Sequence, residues 1–137
     1  MLEDYYVNLL NLAKDAALKA YAPYSKYRVG CAIQTDKGIF QGFNIENAST
    51  SLGLCAERAA ITNALVNGAK RIDTIAVYCL DANTNKSLNR NQETMPCGAC
   101  RQWMAELAPD AKLITNGSEK IYELNDLLPE AFVFRNV

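Results

Sequence analysis

The sequence predicts one α/β domain of three layers, with helices on both faces of a central, mixed five-stranded sheet, in the order αββαβαββα. Three observations predict it. The chain has 137 residues, enough for a single domain over 1–137 and too few for two of ordinary size. Half of the residues are hydrophobic, which suffices for a real core. Segments whose apolar residues recur at helical spacing alternate with short β-prone runs.

The first helix is expected over 3–20. Leu2, Tyr6, Leu9, Leu10, Ala13 and Ala17 recur there at helical spacing, with Asp4, Lys14 and Lys19 between them. Pro23 stops it. Tyr27 to Thr35 reads as a strand, Asp36-Lys37-Gly38 as a turn and Ile39 to Ile45 as the returning strand of a hairpin. Glu46 to Gly53 is polar, small and irregular, hence a loop. Cys55 to Asn67 reads as the second helix, with Ala60, Ile61, Ala64 and Leu65 on its apolar side and Gly68 as its stop. Ile72 to Leu80 is a buried strand and Asp81 to Thr94 a long polar loop. Pro96 precedes a third helix, Cys97 to Leu107, which ends near Pro109. Ala111 to Thr115 is a strand, Asn116-Gly117 a turn and Lys120 to Leu124 a shorter strand. Leu127 to Phe132 reads as a last short helix.

Composition excludes several classes of function. The 14 basic and 15 acidic residues nearly cancel, and the sequence pI of about 5.4 is mildly acidic. That balance argues against a nucleic-acid surface and for a neutral small-molecule partner. No apolar run reaches the length of about 18 residues read as a membrane span. Met1 to Tyr6 carries two acids and no basic residue, unlike a signal peptide. The expected location is therefore the cytoplasm. In a reducing compartment the five cysteines are thiols, metal ligands or core residues. The chain has no histidine, so Ser-His-Asp and Cys-His nucleophile arrangements are excluded. Acid–base chemistry near neutral pH must come from a tuned carboxylate, lysine, thiol or metal-bound water.

Two short segments carry chemistry: Cys55-Ala56-Glu57-Arg58 and Pro96-Cys97-Gly98-Ala99-Cys100-Arg101-Gln102. A Cys-x-x-Cys pair opening a helix puts both sulfurs on one face. The helix dipole and free N–H groups there lower thiol pKa, and thiolates are good zinc ligands. The pair alone fits a redox motif, half of a structural zinc knuckle, or two core cysteines. A second Cys-x-x-Cys would favour a closed structural site, and there is none. Cys31 and Cys79 lie mid-strand in apolar runs and read as core. Cys55, opening another helix, is the natural third ligand. Three protein ligands leave a position for water, the mark of a catalytic zinc. Glu57, two residues from Cys55, can reach that water without ligating the metal. A Cys-x-Glu upstream of Pro-Cys-x-x-Cys is the signature of zinc nucleobase deaminases.

At these residues the chain resembles the cytidine deaminase family, in its small homotetrameric branch with three cysteine ligands. The resemblance runs from about Ala22 to Phe132. It is carried by Pro23-Tyr24-Ser25, Val29-Gly30, Asn44-Ile45-Glu46-Asn47-Ala48, the two segments above and Leu127-Leu128-Pro129. It implies one Zn²⁺ per subunit on Cys55, Cys97 and Cys100, and Glu57 as the catalytic proton carrier. It implies that Asn44 and Glu46 hydrogen-bond the ribose, and that Tyr27 packs at the base where the family usually has Phe. Ala56 is expected to contact substrate. Phe132 matches an aromatic contributed to a neighbouring subunit's site, so sites are shared within a homotetramer. Arg58 matches an arginine that donates hydrogen bonds to the zinc thiolates, offsetting their net negative charge.

The expected reaction is hydrolysis of cytidine, deoxycytidine or both to the uridine nucleoside and ammonia, a step of pyrimidine salvage. Three positions depart from the family pattern. Thr50 stands where Tyr or Phe is common at a subunit contact near the site, Met95 where Ser or Thr precedes the proline, and Tyr27 where Phe is usual. A ring lost at Thr50 opens space for N4- or C5-modified cytosines. The nearest competing reading is a deaminase of another cytosine compound such as blasticidin S, against which the Asn-x-Glu pair favours a nucleoside. A zinc-stabilised interaction domain is disfavoured by Glu57. A polynucleotide-editing deaminase is disfavoured by the acidic pI and the lack of a basic-aromatic strip.

Overall fold

The structure is a computed structural model and describes residues 1–83 and 91–135, so positions 84–90 of the expected polar loop lie outside the described residues. Among the described residues four helices and five strands follow the expected order: α1 (Asp4–Ala17), β1 (Val29–Thr35), β2 (Gly38–Phe43), α2 (Ala56–Val66), β3 (Ile72–Cys79), α3 (Gly98–Leu107), β4 (Lys112–Thr115), β5 (Tyr122–Glu123) and α4 (Leu124–Leu127). Short 3-10 turns occupy Thr50–Leu52 and Asn91–Thr94.

The sheet runs in the order β2-β1-β3-β4-β5. It is mixed: β3 and β4 pair in parallel, and the other neighbours are antiparallel. A parallel pair needs a crossover connection, and α3 lies in it. Side chains alternate between the two faces. On one face Leu9 and Ala13 of α1 pack with Ala32, Ala76 and Ile114. On the other, Cys31, Ile33, Ile75, Val77 and Leu113 pack with Ala60, Ile61 and Ala64 of α2 and Met104 of α3. That is the three-layer arrangement expected. Cys31 and Cys79 lie in this larger core, at 0% and 4% exposure, as their apolar neighbours imply. Among the described residues no helix is long and apolar enough to cross a membrane.

Several boundaries differ from the sequence reading, each for a visible reason. α1 ends at Ala17, well before Pro23. The chain is drawn off helical geometry by a bridge: Tyr21 N–H donates to the Asn44 carbonyl, and Glu46 N–H donates to the Tyr21 carbonyl. β2 stops at Phe43 because the Asn44 side chain takes over the pairing, its Oδ1 accepting the Val29 N–H at 2.9 Å. Leu65 is 44% exposed rather than core, since it lies one position round from buried Ala64 and faces a groove with Trp103. The last helix is Leu124–Leu127, not Leu127 to Phe132. Pro129 disfavours helical geometry at the residue before it, and Leu128 stands at φ −144°, ψ 72°.

Two glycines fix α2, the helix that carries half of the motif. Gly68, at φ 87°, ends it: Ala69 N–H donates to the Ala64 carbonyl and Gly68 N–H to that of Leu65, a Schellman pair. Gly42 lets α2 lie against β2. A Cβ there would stand 2.3 Å from Ala60 N and 2.7 Å from the Ala56 carbonyl oxygen. Both neighbours are backbone, so Gly42→Ala should lift α2 and destabilise the fold by about 3 kcal/mol. Chemical denaturation checks this, and the variant should also retain less zinc than the parent protein.

Candidate active site

The thiols converge because two helices begin side by side. Cys55 is the N-cap of α2 and Cys97 the N-cap of α3, and Cys100 stands in the first turn of α3. Their Sγ atoms lie within 4.8 Å of one another. Cys55 and Cys97 are 3.8 Å apart, and Cys97 and Cys100 are 3.6 Å apart. A zinc–sulfur bond of about 2.3 Å gives a tetrahedral edge of about 3.8 Å. The donor set therefore fits zinc in both chemistry and spacing.

The surroundings fit it as well. Arg58, one turn along α2, donates from Nη2 to Cys55 Sγ at 3.2 Å. Among the described residues the buried Arg58 Nε has no hydrogen-bond partner. The neighbouring Cys100 thiol and Arg58 draw the Cys55 thiol below its ordinary value, while Cys55 and burial push that of Cys100 up. The Cys55 thiolate in turn raises Arg58.

Glu57 is 4% exposed, in the first turn of α2. Burial pushes its carboxyl up to about 7, and the Cys55 thiolate adds to the rise, while Cys100 and Arg58 pull it down. A carboxyl poised near neutrality is what proton transfer at physiological pH requires.

A cleft of about 490 Å³ reaches this cluster at Cys55. Asn44, Glu46, Thr50, Cys55 and Arg58 all line it, as do Tyr24 and Ser25, which donate to the Glu46 carboxylate. Asn44 and Glu46 thus face one space, although Asn44 lies just past the end of β2 and Ile45 between them makes isolated bridges to Tyr21 and Leu54. Tyr27 is half-buried against the larger core, and its hydroxyl donates to the Glu93 carbonyl at 2.8 Å. Burial pushes that hydroxyl's pKa up. The Ala56 side chain is wholly buried in the core, so what it offers a ligand is its backbone. Phe132 is not in the cleft. It is 69% exposed, stacks loosely on Phe134 and has its carbonyl held by Gln102 Nε2 at 3.0 Å.

Three residues within the motif segments have roles that the sequence reading did not assign. Arg101 ties the helix start to the C-terminal segment, donating to the carbonyls of Pro96 and Leu127, both at 2.8 Å. Ser25 and Tyr24 hold Glu46 by donating to its carboxylate. A serine two residues after a proline, placed to accept its own chain's N–H two positions on, was the available signal for Ser25.

Fold and donor set together define a protein that gathers three thiols for one metal ion beside a buried carboxylate, on a mixed α/β sheet. The chain belongs to the cytidine and deoxycytidylate deaminase family, whose zinc-binding region matches residues 4–115. A cytidine deaminase from Halalkalibacterium halodurans is 42% identical over 129 residues, covering 90% of this chain and 91% of the relative. The crystal structure of a cytidine deaminase from Burkholderia pseudomallei superposes with a TM-score of 0.77 at 39% identity, covering 92% of this chain and 98% of that one. A blasticidin-S deaminase from Bacillus cereus is more distant, at 31% identity over 110 residues, 77% of this chain and 76% of the relative.

Proposed function

We propose that this chain is a zinc-dependent cytidine deaminase. It hydrolyses cytidine, deoxycytidine or both to the uridine nucleoside and ammonia. The observation that carries the reading is a buried carboxylate, Glu57, beside a three-thiol cluster at the end of a cleft that presents Asn44 and Glu46.

Cys55, Cys97 and Cys100 hold the metal, and Arg58 offsets the charge of the thiolates. Bound zinc supplies a water acidified toward neutrality as the nucleophile. Glu57 takes a proton from the water and delivers it to N3 of the cytosine ring, which makes C4 electrophilic. After the water oxygen has added at C4, Glu57 carries the remaining proton of that hydroxyl to the 4-amino nitrogen, which leaves as ammonia while the C4 carbonyl forms. One carboxylate serves both transfers, in keeping with a chain that contains no histidine. Asn44 and Glu46 hold the sugar, Tyr27 packs beneath the base, and the Ala56 backbone borders it. Thr50 presents a small side chain to the cleft, which supports tolerance of N4- or C5-substituted cytosines.

The working form is a homotetramer in the cytoplasm that serves pyrimidine salvage, with Phe132 of one subunit completing the site of another. The exposed Phe132, Val133 and Phe134, together with Trp103, Leu65 and Val66, support burial of these faces between subunits. The test is a panel of cytidine, deoxycytidine, cytosine, substituted cytidines and blasticidin S, followed by ultraviolet absorbance with zinc measured on the same sample. Turnover of the nucleosides and not of blasticidin S is expected, and turnover of blasticidin S alone would overturn the reading. Sedimentation should give a mass of four chains. Phe132→Ala should lose activity in the assembled protein while zinc content is unchanged.

A further inference from the structure

Glu46 is held by one turn of chain. Its Oε1 accepts the N–H groups of Tyr24 and Ser25, at 3.0 and 3.1 Å, and its Oε2 accepts the Ser25 hydroxyl. Among the described residues that hydroxyl is the only donor to Oε2. An ionised carboxylate has about four acceptor positions, so three are filled and one remains, on Oε2. The direction of the Ser25 hydroxyl is itself fixed. Tyr27 N–H donates to Ser25 Oγ at 3.0 Å, so the hydroxyl hydrogen is left to point at Glu46. The Tyr27 carbonyl is meanwhile held by Asn44 Nδ2 at 2.9 Å. A continuous chain therefore runs from the Tyr27 backbone through Ser25 to the one oxygen of Glu46 with capacity left for a ligand, and such chains polarise one another. The same contacts, with the charge of Lys26, hold the Glu46 carboxyl below its ordinary range.

We propose that Ser25 is a positioning residue for sugar recognition, its hydroxyl fixing Glu46 Oε2 so that the last acceptor position faces the cleft. This rests on the cytidine deaminase reading above. Ser25 is exposed, so removing its hydroxyl leaves no cavity, and Oε1 keeps both backbone donors, so the turn persists. What changes is Oε2, which loses its anchor and swings toward water. The effect belongs to the binding of a sugar hydroxyl and not to the chemistry at C4.

The experiment compares the full-length zinc-loaded protein with Ser25→Ala and Ser25→Thr, using cytidine and 2′,3′-dideoxycytidine. Ser25→Ala should raise KM for cytidine about tenfold, as loss of a charge-assisted hydrogen bond does, and leave kcat within about twofold. Its kcat/KM for the dideoxy analogue, which has no hydroxyl on the sugar ring to offer, should be unchanged. Ser25→Thr, which keeps the hydroxyl, should restore the cytidine KM. The thermal midpoint of each variant is measured alongside, and a midpoint close to the parent's is expected. An unchanged cytidine KM in Ser25→Ala, or a parallel fall with both substrates, would overturn the proposal. Failure of the unaltered protein to deaminate cytidine would instead overturn the functional reading on which it rests.

Discussion

Glu57→Gln should keep one zinc per chain and lose turnover by about 10⁴-fold, the upper range for removing a positioned acid–base group. The amide has the same shape as the carboxylate, so the start of α2 and the thiol cluster keep their packing around a residue that is 4% exposed. It cannot accept a proton from water and pass it on. The chain has no histidine to substitute for it. The fall should therefore appear in kcat with KM for cytidine nearly constant, because the sugar contacts at Asn44 and Glu46 are untouched. Ammonia release and zinc content on one sample check both halves of the expectation. Near-normal turnover would remove Glu57 from the proton path.

Cys97→Ala carries the second large effect. Of the three clustered thiols Cys97 is the exposed one, whereas Cys100 is fully buried. Truncating Cys100 would confound metal loss with a core cavity. Truncating Cys97 removes a donor and little packing. The variant should purify with far less than one zinc per chain and show no measurable deamination. Its thermal midpoint should equal that of the chelator-treated parent and should not move when chelator is added, since a site that binds no metal receives no stabilisation from it. Cys31→Ala supplies the contrast. That residue is buried in the core and is not one of the clustered donors, so zinc should stay while the midpoint falls. Full zinc occupancy in Cys97→Ala would show that the ligand set is wrong.

Much of this was legible in the linear chain, because it depends on local pattern. Helical and strand periodicities set the order of the elements, and the mixed three-layer sheet followed from that order. The two thiol segments were readable because each opens a helix, and helix starts have a local signature. Gly68 was readable as a stop for the same reason. The departures have two sources: contacts with distant chain, and local geometry that hydrophobicity alone does not report. Pro23 is the local stop for α1, but the bridge from Tyr21 to Ile45 ends the helix earlier. Leu65 has the right hydrophobicity for the core and the wrong angular position on α2. Pro129 disfavours helical geometry at Leu128, so the last helix closes at Leu127 instead of running through the apolar residues beyond it.

By itself the sequence determined which groups the protein has available: five thiols, a carboxylate two residues from one of them, an amide and a second carboxylate two apart, and no imidazole. Identity and spacing along a helix or strand are properties of the chain, and chemistry of that kind is fixed by them. Only the tertiary structure decided which groups meet. Cys55 and Cys97 are separated by 42 residues and stand 3.8 Å apart because β1 and β3 pair and the two helices begin at the same end of the sheet. Burial of Glu57 is likewise decided by the packing of α2, and no local pattern reports the resulting rise of its carboxyl. The hold of Ser25 on Glu46 spans 21 residues and joins a turn to a strand end. Long-range convergence and desolvation are collective properties of the packed domain, which is why the metal donors could be read from the sequence and the shape of the sugar-facing cleft could not.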